Sequence, residues 1–251
     1  MIPVIPWYIT LAVVVGSAVV AFAVWQLFIH SASRNTLPRE AQAPVLLGVA
    51  ASLALWLGLA IFTAPSLASL AGRDPYSITP LIPLFAIAAP LVTFLAYRTS
   101  ATFRALFNGL PTGGVIGLQA FRLIGALFLV LLAQGQLPEH FARPAGYGDI
   151  VVGLSAPLVA LAYERGVRWP ALLWNVLGVA DLLVAVGMGT GLATPLLPGV
   201  TSRLPAAAAL GAFPMILVPI FAVPIAMMLH VVALRALLGA KERAAEMVMA
   251  R

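Results

Sequence analysis

Five polar side chains stand in stretches that are otherwise apolar: Gln119 and Arg122 in GVIGLQAFRLIGALF, Asn175 and Asp181 in LLWNVLGVADLLV, and His230 in AMMLHVVAL. A guanidinium and a carboxylate can hold a small ligand or pass a proton, while amide and imidazole groups donate and accept hydrogen bonds beside them. A charge in hydrocarbon costs several kcal/mol, so such residues are paired, face the interior of a bundle and mark candidate sites. Gln119 and Arg122 share one helix face at i, i+3, as do Asn175, Gly178 and Asp181. At 1.5 Å per residue, Arg122 lies about 12 Å and Asp181 roughly 16 Å from the same end of their helices, and an arginine spans the difference. Asn175 and His230 lie at similar depth. We therefore expect Arg122 to pair with Asp181, with Asn175 and His230 converging on the pair. The structural alternative is an ion pair that only fastens three helices together.

A second polar group occupies LPEHFARPAGYGDI, residues 137–150, with Glu139, His140, Arg143, Tyr147 and Asp149. Gly146 and Gly148 loosen the backbone there, and we expect an outer connection that either dips into the membrane as a lid or vestibule over the buried site or stays an ordered loop with a solvated face. Adjacent Glu and His do not make a metal-ligand spacing, so no metal and no cofactor is assigned. Gly146-Tyr147-Gly148-Asp149 matches the end of a potassium-channel filter, but Pro144-Ala145 replaces the Thr-Val that precedes it there. The same four residues resemble the Gly-x-Gly-Asp motif of intramembrane aspartyl proteases. That resemblance implies Asp149 and Asp181 as an acid/base pair, although in those families this aspartate comes second along the chain. Gly153-Leu154-Ser155-Ala156 resembles the Gly-x-Ser-Gly of rhomboid proteases without its last glycine. Microbial rhodopsins need a lysine in their last span, and the sole lysine here is Lys241 in the tail, which excludes retinal.

The elements that must position these residues follow from composition. Of 251 residues, 62% are hydrophobic and only 9% charged, with a mean hydropathy of +1.05. Soluble domains carry roughly 25% charged residues, so the chain is read as an all-α integral membrane protein with no soluble domain. The absence of cysteine excludes disulfides and thiol chemistry. A net charge of +6 would suggest nucleic acid only if the basic residues clustered, and they do not. Spans are expected near 7–30, 43–64, 79–98, 115–136, 146–163, 170–190 and 214–235, followed by a cytoplasmic tail at 240–251. The alternative count is six spans with a re-entrant segment at 138–163. Basic residues favour the cytoplasmic side. With the N-terminus outside, ten of them (Arg34, Arg39, Arg98, Arg104, Arg165, Arg168, Arg235, Lys241, Arg243 and Arg251) fall inside, against Arg73, Arg143 and Arg203 outside. Pro83, Pro90, Pro157, Pro214, Pro219 and Pro224 are expected to bend their spans. Gly48 and Ser52 are expected to let helices pack closely.

The pattern Gln119, Arg122, Gly125, Leu137-Pro138, Phe141-Ala142, Pro144-Ala145-Gly146, Gly148-Asp149, Trp174-Asn175, Gly178, Asp181-Leu182, Pro219 and His230 resembles a bacterial membrane-protein family of unassigned activity. The resemblance covers about 118–235 and implies a bundle of seven or so spans, with no site residues to carry over. Arginine-rich, Ala-, Gly- and Leu-rich usage suggests the inner membrane of a GC-rich bacterium. The leading expectation is a transport-like or ligand-binding protein with a polar site between spans four, six and seven, taking a small molecule or lipid. The alternatives are an intramembrane enzyme using Asp149, Asp181 or His230, which is less favoured, and a structural subunit. The bilayer is the one partner assigned, and oligomeric state is left open.

Overall fold

A computed structural model describes residues 5–73, 81–192 and 210–249. They form helices α1 (Trp7–Ser33), α2 (Arg39–Arg73), α3 (Leu81–Thr99), α4 (Ala101–Asn108) and α5 (Thr112–Leu118). A 3₁₀ segment at Gln119–Gly125 then leads directly into α6 (Ala126–Ala133), followed by α7 (Glu139–Glu164) and α8 (Trp169–Gly189). A π-turn at Val218–Ala222 opens α9 (Val223–Met249). No strand occurs among the described residues. Among the described residues, six helices are long and apolar enough to cross a membrane: Trp7–Ser33, Arg39–Leu67, Thr112–Ala133, Glu139–Glu164, Trp169–Gly189 and Val218–Gly239. The apolar part of α3, Ile87–Thr99, is shorter.

The distribution of side chains is that of a chain folded in lipid. Large apolar groups such as Phe62, Phe94, Leu158 and Leu183 face outward, whereas Gln119, Arg122, Asn175 and His230 are buried. Helix α9 is central, with half of its spanning window buried against 6% for α2 at the periphery. Helix ends follow local chemistry. Ser100 caps α4 by accepting from the Phe103 N–H at 3.1 Å. Gly135 and Gly166 close α6 and α7 at φ of 68° and 89°, a conformation that disfavours other residues.

Three expectations need correction. Residues 139–164 form one continuous helix, so 137–150 is neither a lid nor a loop and 138–163 is not re-entrant. Pro144 and Pro157 lie within it, because neighbouring helices shield a backbone whose ladder is interrupted. Pro214 precedes the last helix rather than bending it. Gly48 has no atom within 4 Å of where its Cβ would stand, so it meets open space rather than a close helix partner. Arg203 and Arg251 lie outside the described residues.

Pro224 lacks the N–H that would reach the Ile220 carbonyl one turn earlier. The indole N–H of Trp56, from α2, donates to that carbonyl at 2.8 Å. Trp56→Phe should therefore cost about 1–3 kcal/mol, the desolvation penalty of an orphaned carbonyl. Pro224→Ala should recover much of this by restoring the helical donor. A melting-temperature comparison of the single and double variants checks it; equal losses in both would show that the carbonyl is not what Trp56 serves.

Candidate functional site

The 3₁₀ segment arranges the site. At three residues per turn, positions three apart eclipse each other along one edge. Gln119, Arg122 and Gly125 are the buried residues of that segment and form this edge. Gln119 Nε2 donates to the Ala226 carbonyl of α9 at 2.9 Å, while its buried Oε1 accepts no hydrogen bond.

Arg122 is 2% exposed, and all three of its guanidinium nitrogens are engaged. Its Nε and Nη2 both reach Asp149 Oδ1 at 2.7 Å. Nη2 also donates to Asp181 Oδ2. Nη1 donates to the Gly178 carbonyl at 3.3 Å and meets His230 Nε2 at 3.3 Å. His230 Nδ1 lies 2.9 Å from Asn175 Oδ1, and Asn175 Nδ2 donates to the Ala171 carbonyl at 2.7 Å. This chain of bonds requires the Nδ1–H tautomer, with Nε2 as acceptor toward the guanidinium. The Trp174 ring packs on the imidazole at a centroid distance of 5.3 Å.

Three glycines clear the space for these groups. A Cβ on Gly125 would overlap the Asp149 side chain, one on Gly148 the Asp181 carboxylate, and one on Gly178 the His230 ring. Each glycine sits on the helix facing the polar side chain it admits. Gly148 and Asp149 thus have separate tasks: one admits Asp181, and the other binds Arg122.

Arg122 and Asp181 are in contact, and Asn175 and His230 join them, as their spacing and depth suggest. The partner that sequence reasoning placed elsewhere is Asp149. Its assignment to an outer loop is corrected by its position about two-fifths of the way along α7. The site therefore lies between the Gln119–Gly125 segment and helices α7, α8 and α9. The one available signal was charge counting, since Asp149 and Asp181 are the carboxylates nearest the apolar core of this region.

The remaining residues of 137–150 are not brought to Arg122. Glu139 and Arg143 form an exposed i, i+4 ion pair at 3.1 Å, a kind worth under about 1 kcal/mol. Tyr147 is 58% exposed, and His140 Nε2 is buried without a hydrogen bond. Ser155 Oγ donates to the Val151 carbonyl and accepts from Trp174 Nε1. It makes no bond to His230, so the resemblance to a serine protease has no counterpart in the geometry.

The domain of unknown function DUF8737 matches residues 79–238. The chain belongs to that family. The match contains the whole polar cluster, from Gln119 to His230, and leaves out α1 and α2. The DUF8737 description assigns no activity, in keeping with the uncharacterised family expected from 118–235. No curated protein and no solved structure matches the chain.

Proposed function

We propose that the protein is a seven-span inner-membrane protein of a bacterium, N-terminus outside, which takes up one positive charge at its Asp149–Arg122–Asp181 cluster as part of transport or ligand binding. The charge is carried by a proton or by a small organic ammonium group. One observation carries the reading: two carboxylates share a single guanidinium. Both ionised, they leave an unbalanced negative charge among apolar helices, where charge is costly. The side chains of Asp149 and Asp181 are 14% and 19% exposed. Asp149 Oδ2 and Asp181 Oδ1 receive no hydrogen bond among the described residues. Two carboxylate oxygens, one against Gly125 and one against Gly148, thus lack a donor. An anion is disfavoured, because all three nitrogens of Arg122 already have partners, two of these being carboxylates. Helix α3 supplies the seventh span, and the bias of basic residues supports the orientation.

A second reading has one observation in its favour. Asp149 and Asp181 meet on adjacent long helices, as intramembrane aspartyl chemistry would need. Such chemistry has two carboxylates sharing a proton, whereas here a guanidinium binds both, so this reading stands second.

The test is a thermal-shift screen of purified protein against small amines, their neutral isosteres and carboxylates of like size. Saturating amine at about 100 times its Kd should stabilise the protein by about 2.7 kcal/mol. Asp149→Asn and Asp181→Asn should abolish that shift. If the proton is the occupant, amines have no effect, and infrared difference spectra show a protonated-carboxyl band that Asp181→Asn or Asp149→Asn removes. Stabilisation by carboxylates, or neither signal, overturns the proposal and leaves a structural fastener.

A further inference from the structure

On the far side of α9 from the polar cluster lies a chamber of about 420 Å³ bounded by α1, α2, α3, α4 and α9. Its walls are apolar, with Phe28, Val49, Trp56, Phe221 and Leu229 among them. It runs along α2 from Val45 to Trp56 and along α3 from Ala89 to Thr99. Eleven helical steps make it roughly 16 Å long, close to one leaflet's half of the ~30 Å hydrocarbon core. Gly48 and Ser52 are lining residues on α2 and are themselves exposed. The chamber is therefore reachable sideways from the lipid.

One end of this chamber is basic. Phe103 and Phe107 of α4 line that end. The Arg235 guanidinium lies 4.3 Å above the Tyr97 ring and 5.8 Å from the Phe107 ring, and it donates to the Tyr97 hydroxyl. Arg104 Nη1 donates to the Tyr97 carbonyl at 3.2 Å, and its guanidinium is 5.8 Å from the same ring. Neither arginine pairs with a carboxylate among the described residues. Two guanidiniums with unused donors at the mouth of an apolar slot suit a phosphate held by planar, two-pronged contacts.

We propose that this chamber binds one acyl chain of an anionic phospholipid, whose headgroup phosphate rests between Arg104 and Arg235. The charge complementarity decides the occupant, since a neutral amphiphile would leave both guanidiniums without a counter-ion. The inference is independent of the proton or amine reading, because it concerns different residues on the opposite face of α9.

Native mass spectrometry of the detergent-purified protein, titrated with phosphatidylglycerol or phosphatidylcholine of identical chains, tests it. One phosphatidylglycerol should bind roughly 10-fold or more tightly than phosphatidylcholine, given two arginines near the phosphate. Arg104→Gln/Arg235→Gln should erase the preference while retaining weak chain binding. Gly48→Leu should fill the slot and weaken both lipids about equally. This change meets open space at its Cβ and favours the helix, and Ser52→Leu is the second filling variant. Equal affinity of the wild type for the two lipids overturns the proposal. So does unchanged binding in both filling variants, or a phosphatidylglycerol preference that persists unchanged in the Arg104→Gln/Arg235→Gln protein.

Discussion

Arg122→Leu should destabilise the protein by about 3–5 kcal/mol, the usual loss when one partner of a buried ion pair is removed. Here two carboxylates are stranded rather than one. Replacing Asp181 as well should therefore recover only part of the loss, because Asp149 Oδ1, 2.7 Å from the guanidinium in the native protein, stays behind. Stability should return toward the wild-type value only in the triple leucine variant, which removes all three charges. Melting temperatures across the single, double and triple variants in one detergent provide the measurement, and non-additivity is the quantity of interest. Full recovery in the Arg122→Leu/Asp181→Leu protein would show that Asp149 is not a partner.

The next largest effect should come from a single methyl group. In Gly148→Ala the new Cβ would stand 2.6 Å from Asp181 Cγ, and in Gly178→Ala it would stand 2.5 Å from His230 Nε2. Neither neighbour is a free side-chain end. Asp181 is tied to Arg122, and His230 is held between Arg122 and Asn175. Overpacking of this kind costs about 1–3 kcal/mol. Gly58→Ala is the matched control, since nothing lies within 4 Å of its Cβ position, and it should stabilise the helix by up to about 1 kcal/mol. Thermal melts of the three variants check the sign at each site. A stabilised Gly148→Ala protein would mean that the Asp181 carboxylate does not occupy that space.

The lipid-facing character of the chain and the meeting of Arg122 with Asp181 were legible in the sequence for one reason. In an apolar run, a polar residue stands out, and the cost of burying it demands a partner. Asn175 and His230 were legible on the same ground, helped by matching depth. Asp149 was not, because Pro144, Gly146 and Gly148 read as loop chemistry when judged by the rules of water. In lipid the backbone keeps its helical bonds for want of any other partner, and a glycine serves as space for a neighbour. The clearance that Gly148 gives Asp181 depends on the register between α7 and α8, which periodicity within either helix does not contain. Gly48 failed in the opposite direction. A small residue permits close packing but does not compel it, and here the space beside it belongs to a chamber.

The 3₁₀ segment at Gln119–Gly125 also changes the phase of the rod it interrupts. An α-helix turns about 100° per residue and rises about 1.5 Å; a 3₁₀ helix turns about 120° and rises about 2.0 Å. Over seven residues the excess is roughly 140° of rotation and about 3.5 Å of length. On an unbroken α-helical wheel, Leu131 falls about 180° from Arg122 and would point at lipid. The three 3₁₀ steps that follow Arg122 turn it back by roughly 60°, and Leu131 is 1% exposed. Helices α5 and α6 are collinear in the chain yet geared to different faces, so a wheel drawn straight through 112–133 misplaces the lipid side of its second half.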